Sequence, residues 1–134
     1  MAAKEANGDI SALAQTVKLC GDELTIYSGN DDQITAFMSL GAKGVVSVLS
    51  NIAPRAVHDM VKMYLDGDTA ASTELQLKYL DLCSSLFSDV NPIPVKEAMN
   101  MMGMEVGSCR LPLAQIQPQA KEKLRRSLSA LGMI

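Results

Sequence analysis

Lys4 is the first residue whose type and place suit it to chemistry. It follows Met1, Ala2 and Ala3 and precedes Glu5 in the stretch MAAKEANGD. Small apolar residues, an ionisable group and then a polar turn with Gly8 and Asp9 read as a strand end, a functional group at its carboxyl end and a helix N-cap. The apolar part is shorter than the about 5–6 residues of a typical strand. Lys4 is therefore either a solvated tail lysine or one half of a site. Glu5 beside it reads as a salt-bridge or hydrogen-bonding partner, not a general base. Asp31 and Asp32 form a carboxylate pair of the kind used in acid–base work, but their place favours capping and a solvated helix start. His58, the one histidine, has no cysteine or serine partner nearby and reads as a helix-surface residue. Cys20, Cys83 and Cys109 are odd in number, widely spaced and without a CxxC pair. That pattern argues against a disulfide framework or a zinc site and for a reducing compartment. The run MNMMGM (99–104) has the make-up of a plastic binding surface, although packing against other helices is the plainer reading.

These residues need elements to hold them. A chain of 134 residues with 48% hydrophobic and 20% charged residues can build one core. A net charge of -3 argues against nucleic acid or an anionic membrane as the main partner. No apolar run approaches the about 20 residues of a membrane span, and no secretory signal is visible. The expectation is a cytoplasmic protein. Asp9 caps a helix carrying Ile10, Leu13, Ala14 and Val17, which Gly21 stops. LTIYSG reads as a buried strand ending in Gly29. A second helix carries Ile34, Phe37, Met38 and Leu40, and VVSVL follows as a further strand. Pro54 opens a third helix with Val57, Met60, Val61, Tyr64 and Leu65 on one side. This alternation predicts α/β architecture with parallel strands covered by helices.

The second half reads differently. A helix runs from Asp68 or Thr69 through Leu75, Leu77, Leu80, Leu82 and Leu86 to Phe87, and DVNPIPVK reads as an extended break. A short helix through Met99 and Met102 ends at Gly103, and CRLPLAQIQP is an extended connection. A last helix carries Leu124, Leu128 and Leu131 and stops at Gly132. Lys121, Lys123, Arg125 and Arg126 are read as complementing its carboxyl end. Residues 1–66 thus form β/α units and residues 67–134 a helical extension.

Three groups of residues carry a resemblance: AAKEANGD; YSGNDDQ followed by LGAKGVVSV; and NPIPVKEAM with a later RLPL. In this order and spacing they resemble the carboxyl-terminal half of the dihydrodipicolinate synthase (4-hydroxy-tetrahydrodipicolinate synthase) family. That family stands with N-acetylneuraminate lyase among the pyruvate-dependent class I aldolases. The resemblance implies the carboxyl-terminal portion of a TIM (β/α)8 barrel, namely the tail of strand 6 and strands 7 and 8, followed by helices. It is an incomplete barrel, since a whole one needs about 250 residues.

The resemblance further implies that Lys4 forms a Schiff base with pyruvate. An amine attacks only when neutral, and burial lowers a lysine pKa from its usual value of about 10.4. The resulting enamine then attacks aspartate semialdehyde, in lysine and diaminopimelate biosynthesis. Gly29 and Val46 match positions whose backbone lines the pyruvate site. Position 46 usually holds another β-branched residue in relatives. No cofactor and no metal are implied. The catalytic tyrosine of the family has no counterpart here, and Tyr27 does not take its place. The chain alone is expected to be an inactive or partly active fragment, joined by copies of itself or by an amino-terminal half-barrel. The other reading is a non-catalytic module that self-associates or complements such a half, because open strand edges and one-sided helices cannot satisfy themselves.

Overall fold

A computed structural model describes residues 1–134. Strand β1 (Ala2–Glu5) leads into helix α1 (Ile10–Cys20), which starts where the Asp9 carboxylate accepts hydrogen bonds from the N–H groups of Ser11 (2.8 Å) and Ala12 (3.0 Å). The helix ends at Gly21 and returns the chain to β2 (Thr25–Ser28). β1 and β2 pair in parallel, Ala2 opposite Thr25 through Glu5 opposite Ser28, joined by the helical crossover that parallel strands need.

The strand expected over VVSVL contracts to a single parallel bridge between Ser28 and Val45. Ser28 N–H donates to the Gly44 carbonyl and Val46 N–H donates to the Ser28 carbonyl, and there the ladder stops. The chain turns away at the Asp31 carboxylate. That carboxylate takes the N–H groups of Val48 and Leu49, where Val48 has helical angles (φ −82°, ψ −43°) and a 3₁₀ turn runs over Leu49–Asn51.

Helix α2 (Ile34–Ser39) precedes this loop. Helix α3 (Pro54–Leu65) follows it, with proline in the first turn, where a missing N–H costs nothing. Its inner side buries Val57 and Met60, but Leu65, expected on that side, is exposed. The single helix expected from Thr69 to Phe87 is two, α4 (Thr69–Lys78) and α5 (Leu80–Leu86). At Tyr79 the N–H is shared between the carbonyls of Leu75 and Gln76, which tightens the last turn and ends α4. The short helix expected through Met99 and Met102 is present but begins earlier, as α6 (Ile93–Met101), so that residues 93–96, expected to be extended, are helical; Pro94 sits in the first helical turn, where its fixed φ fits.

Helix α7 (Pro118–Ala130) closes at Gly132, whose φ of +65° suits glycine at a helix end. Its basic residues do not complement that end, since none lies in the last turn. Instead Lys121 pairs with Glu97 on α6, Lys123 donates to Ser84 on α5, and Arg126 pairs with Glu122.

Two apolar clusters result. The larger, of 14 buried residues, runs from Ile34 and Met38 through Leu49, Met60, Leu82 and Leu86 to Leu124 and Leu128, on both sides of position 66. Met99, Met101 and Met102 pack against it, as the helix-packing reading of MNMMGM expects, while Met104 is exposed. The smaller joins Leu13, Ile26, Phe37 and Ala42 under the strands.

Candidate active site

The two parallel strands end side by side, and their carboxyl ends hold the residues of interest. Lys4 lies in the last turn of pleat of β1, and Gly29 follows β2 directly. Gly29 N–H donates to the Glu5 carbonyl at 2.7 Å. A Cβ added to Gly29 would stand 2.9 Å from Lys4 Cε and 2.5 Å from Ala6 Cβ, so the lysine stem runs directly over the glycine. Val46 joins them through its N–H bond to Ser28 at 2.8 Å, one residue before Gly29. All three expected site residues therefore converge.

They converge on an open surface. Lys4 is exposed and Val46 is 48% exposed. The Glu5 carboxylate accepts from the Asn7 N–H at 2.9 Å, a bond within its own turn and not one to Lys4. His58 sits exposed on α3 beside Asp59, with Nδ1 and Oδ1 3.0 Å apart. That contact, together with Arg55, holds the Asp59 carboxyl below the usual carboxylate range. Asp32 is exposed, but Asp31 is only 1% exposed, contrary to the solvated helix start expected for the pair. The reason is the loop it caps 17 residues further on, a partner that no local pattern announces.

A cleft of about 270 Å³ opens beside the strand ends, between Ala6, Gly8, Asn30, Asp32 and the α5 residues Cys83 and Phe87. Gln33 Nε2 ties its two loops by donating to the Gly8 carbonyl at 3.3 Å. Burial, and then the charges of Asp31 and Asp32, push the Cys83 thiol from an ordinary 9.0 up to about 12. It is thus held as the neutral thiol near pH 7. The unfolded chain releases this proton near 9 while the folded one keeps it to about 12. The stability it contributes is whole below pH 9 and falls as pH rises between these values. The gap in denaturation midpoint between wild type and Cys83→Ala should therefore shrink on going from pH 9 toward 12, and a gap independent of pH would contradict the shift.

Residues 1–131 match the model of the dihydrodipicolinate synthetase family. The chain belongs to that family. Over its whole length it is 50% identical to the 4-hydroxy-tetrahydrodipicolinate synthase of Clostridium perfringens, of which it covers 46%. Its fold is similar to that of the dihydrodipicolinate synthase from Thermotoga maritima, with a TM-score of 0.93 at 37% identity, over 99% of this chain and 46% of that one. It is also similar to the chloride-inhibited enzyme from Acinetobacter baumannii complexed with pyruvate, with a TM-score of 0.91 at 35% identity, over 98% of this chain and 45% of that one. The chain thus spans about half the length of the dihydrodipicolinate synthases it matches, in their carboxyl-terminal half, and folds as a partial barrel with helices. No helix in it is long and apolar enough to cross a membrane.

Proposed function

We propose that this chain carries the lysine side of a dihydrodipicolinate synthase active site, within a lyase of lysine and diaminopimelate biosynthesis. On this reading β1 is the tail of the sixth barrel strand, β2 the seventh, and the bridge at Val45 what remains of the eighth. Lys4 Nζ, when neutral, attacks the keto carbon of pyruvate. Loss of water gives the iminium, which draws electrons as a proton leaves the pyruvate methyl. The enamine carbon then bonds to the aldehyde carbon of aspartate semialdehyde. The substrate amine finally replaces Lys4 on the imine carbon, which closes the ring and frees the lysine. The backbone at Gly29 and Val46 walls the pyruvate.

The observation that carries this reading is the stem of Lys4 lying over Gly29 at the carboxyl ends of two parallel strands, the face where barrels of this kind place their chemistry. Full turnover also needs acid–base groups worth about 10²- to 10⁴-fold in rate, which the chain does not supply, so imine formation is the step expected of it alone. A second reading, a non-catalytic half-barrel that associates with copies of itself or with an amino-terminal half, is favoured by the exposure of Lys4.

Borohydride reduction in the presence of pyruvate tests this. The expected result is one reduced adduct, mapped to the peptide containing Lys4 and missing in Lys4→Ala. An adduct spread over other lysines, or none at saturating pyruvate, would favour the second reading.

A further inference from the structure

Helix α4 is tied to its neighbours by two buried side chains that the proposed chemistry does not use, and one of them, Gln76, reaches the segment after β2. Gln76 is 4% exposed. Its Nε2 donates to the Asp31 carbonyl at 2.8 Å, and its Oε1 accepts from the Ile34 N–H at 3.0 Å. Asp31, in turn, holds the N–H groups of Val48 (2.8 Å) and Leu49 (2.9 Å) on Oδ2, while its Oδ1 is buried without a partner. Ser72, one turn before Gln76, fixes α4 on α3 by donating to the Met60 carbonyl at 2.7 Å.

An ordinary helix cap does not look like this. A cap stabilises its own helix from solvent, whereas Asp31 ties the loop after β2 to the loop after the Val45 bridge, with a carboxylate taken out of water. A buried carboxylate oxygen with no donor is costly, and apolar packing would have held the loops together at less cost. What the carboxylate adds is direction. It draws two N–H groups onto one oxygen and so sets where the backbone of residues 46–49 lies relative to residues 28–31. Gly29 stands two residues before Asp31, and Val46 two residues before Val48.

We infer that Asp31 and Gln76 are positioning residues, through which helix α4 sets the spacing of the Gly29 and Val46 backbones. As a statement about pyruvate binding, this rests on the function proposed above. A misplacement of about 1 Å can cost on the order of 10²-fold in rate, so loss of either link should act on the site well before it unfolds the chain.

The test uses the full chain and the variants Asp31→Ala, Asp31→Asn and Gln76→Met. Two quantities are read: the pyruvate concentration giving half-maximal borohydride trapping, and amide hydrogen exchange residue by residue. Asp31→Ala and Gln76→Met should raise the half-maximal concentration about tenfold or more and speed exchange at Val46 and Gly29, with the amides of Leu124 and Leu128 in α7 unchanged. Asp31→Asn keeps an oxygen for both donors and should recover most of the loss. Unchanged trapping in a folded Asp31→Ala would overturn the inference. So would faster exchange confined to Val48 and Leu49, or faster exchange throughout α7. If wild type forms no adduct, the proposed function fails and exchange alone decides the positioning role. If Asp31→Ala does not fold, Gln76→Met carries the same comparison.

Discussion

Gly29→Ala should lower the unfolding free energy by about 1–3 kcal/mol and reduce pyruvate trapping at Lys4 to background. The added methyl would stand 2.5 Å from Ala6 Cβ, 2.9 Å from Lys4 Cε and 3.1 Å from the Glu5 carbonyl oxygen. Carbon atoms in contact sit at about 3.5–4.0 Å, so at least two of these neighbours must move. The lysine stem can swing away, which takes the amine out of its place. Ala6 Cβ is bound to the backbone and cannot move without it, so the strand ends must part and the bond from Gly29 N–H to the Glu5 carbonyl must lengthen. Chemical denaturation with trapping on the same sample reads both effects. An alanine variant with wild-type stability and trapping would show that the strand ends are looser than their geometry implies.

The second large effect lies at the other end of the chain. Leu124→Ala should cost about 2–5 kcal/mol and lower the thermal midpoint by on the order of 10 °C. Leu124 has no exposed surface and stands in the 14-residue cluster with Leu128, Leu82 and Leu86. Removing its branch leaves a cavity between α7 and α5 that helices pinned by the Lys121–Glu97 pair and the Lys123–Ser84 bond close only in part. Whole domains are stable by only about 5–15 kcal/mol, so this is a large share. Leu111→Ala is the control. That side chain is 90% exposed and its loss should stay within about 0.5 kcal/mol of wild type. Equal effects at the two positions would mean that α7 is not anchored in the core.

Where the causes were local, the sequence was readable. Asp9 three residues before Ala12, Pro54 at a first turn and Gly132 past a last one each act within a few residues, and each marks its boundary. The motifs around Lys4, Gly29 and Val46 led to residues that do converge, because strand ends in register bring such motifs together. What could not be read depends on distant partners. VVSVL has the composition of a strand, yet its end turns into a 3₁₀ turn whose first N–H groups are held by the Asp31 carboxylate, 17 residues earlier. Gln76 looks like any polar helix residue until its amide is found between Asp31 and Ile34, more than 40 residues away. Pro94 misled in another way, since the same ring that disfavours helix before it suits the first turn of the helix it opens.

The unequal apolar clusters also bear on the order in which the molecule comes apart. Fourteen buried residues knit α2, α3, α5, α6 and α7, with Leu75 of α4 packed against them, while four, two of them Leu13 and Ile26, hold the strand layer beneath α1. Parts of a protein with few buried apolar contacts open at lower free energy than its core. The strand layer should therefore open before the helical body does. Lys4 belongs to the strand layer and Gln76 to the helical body. Whatever steadies the strand ends, whether a ligand across Lys4 and Gly29 or further strands alongside β1, adds its binding energy to the strand layer, where the molecule has least to lose and most to gain.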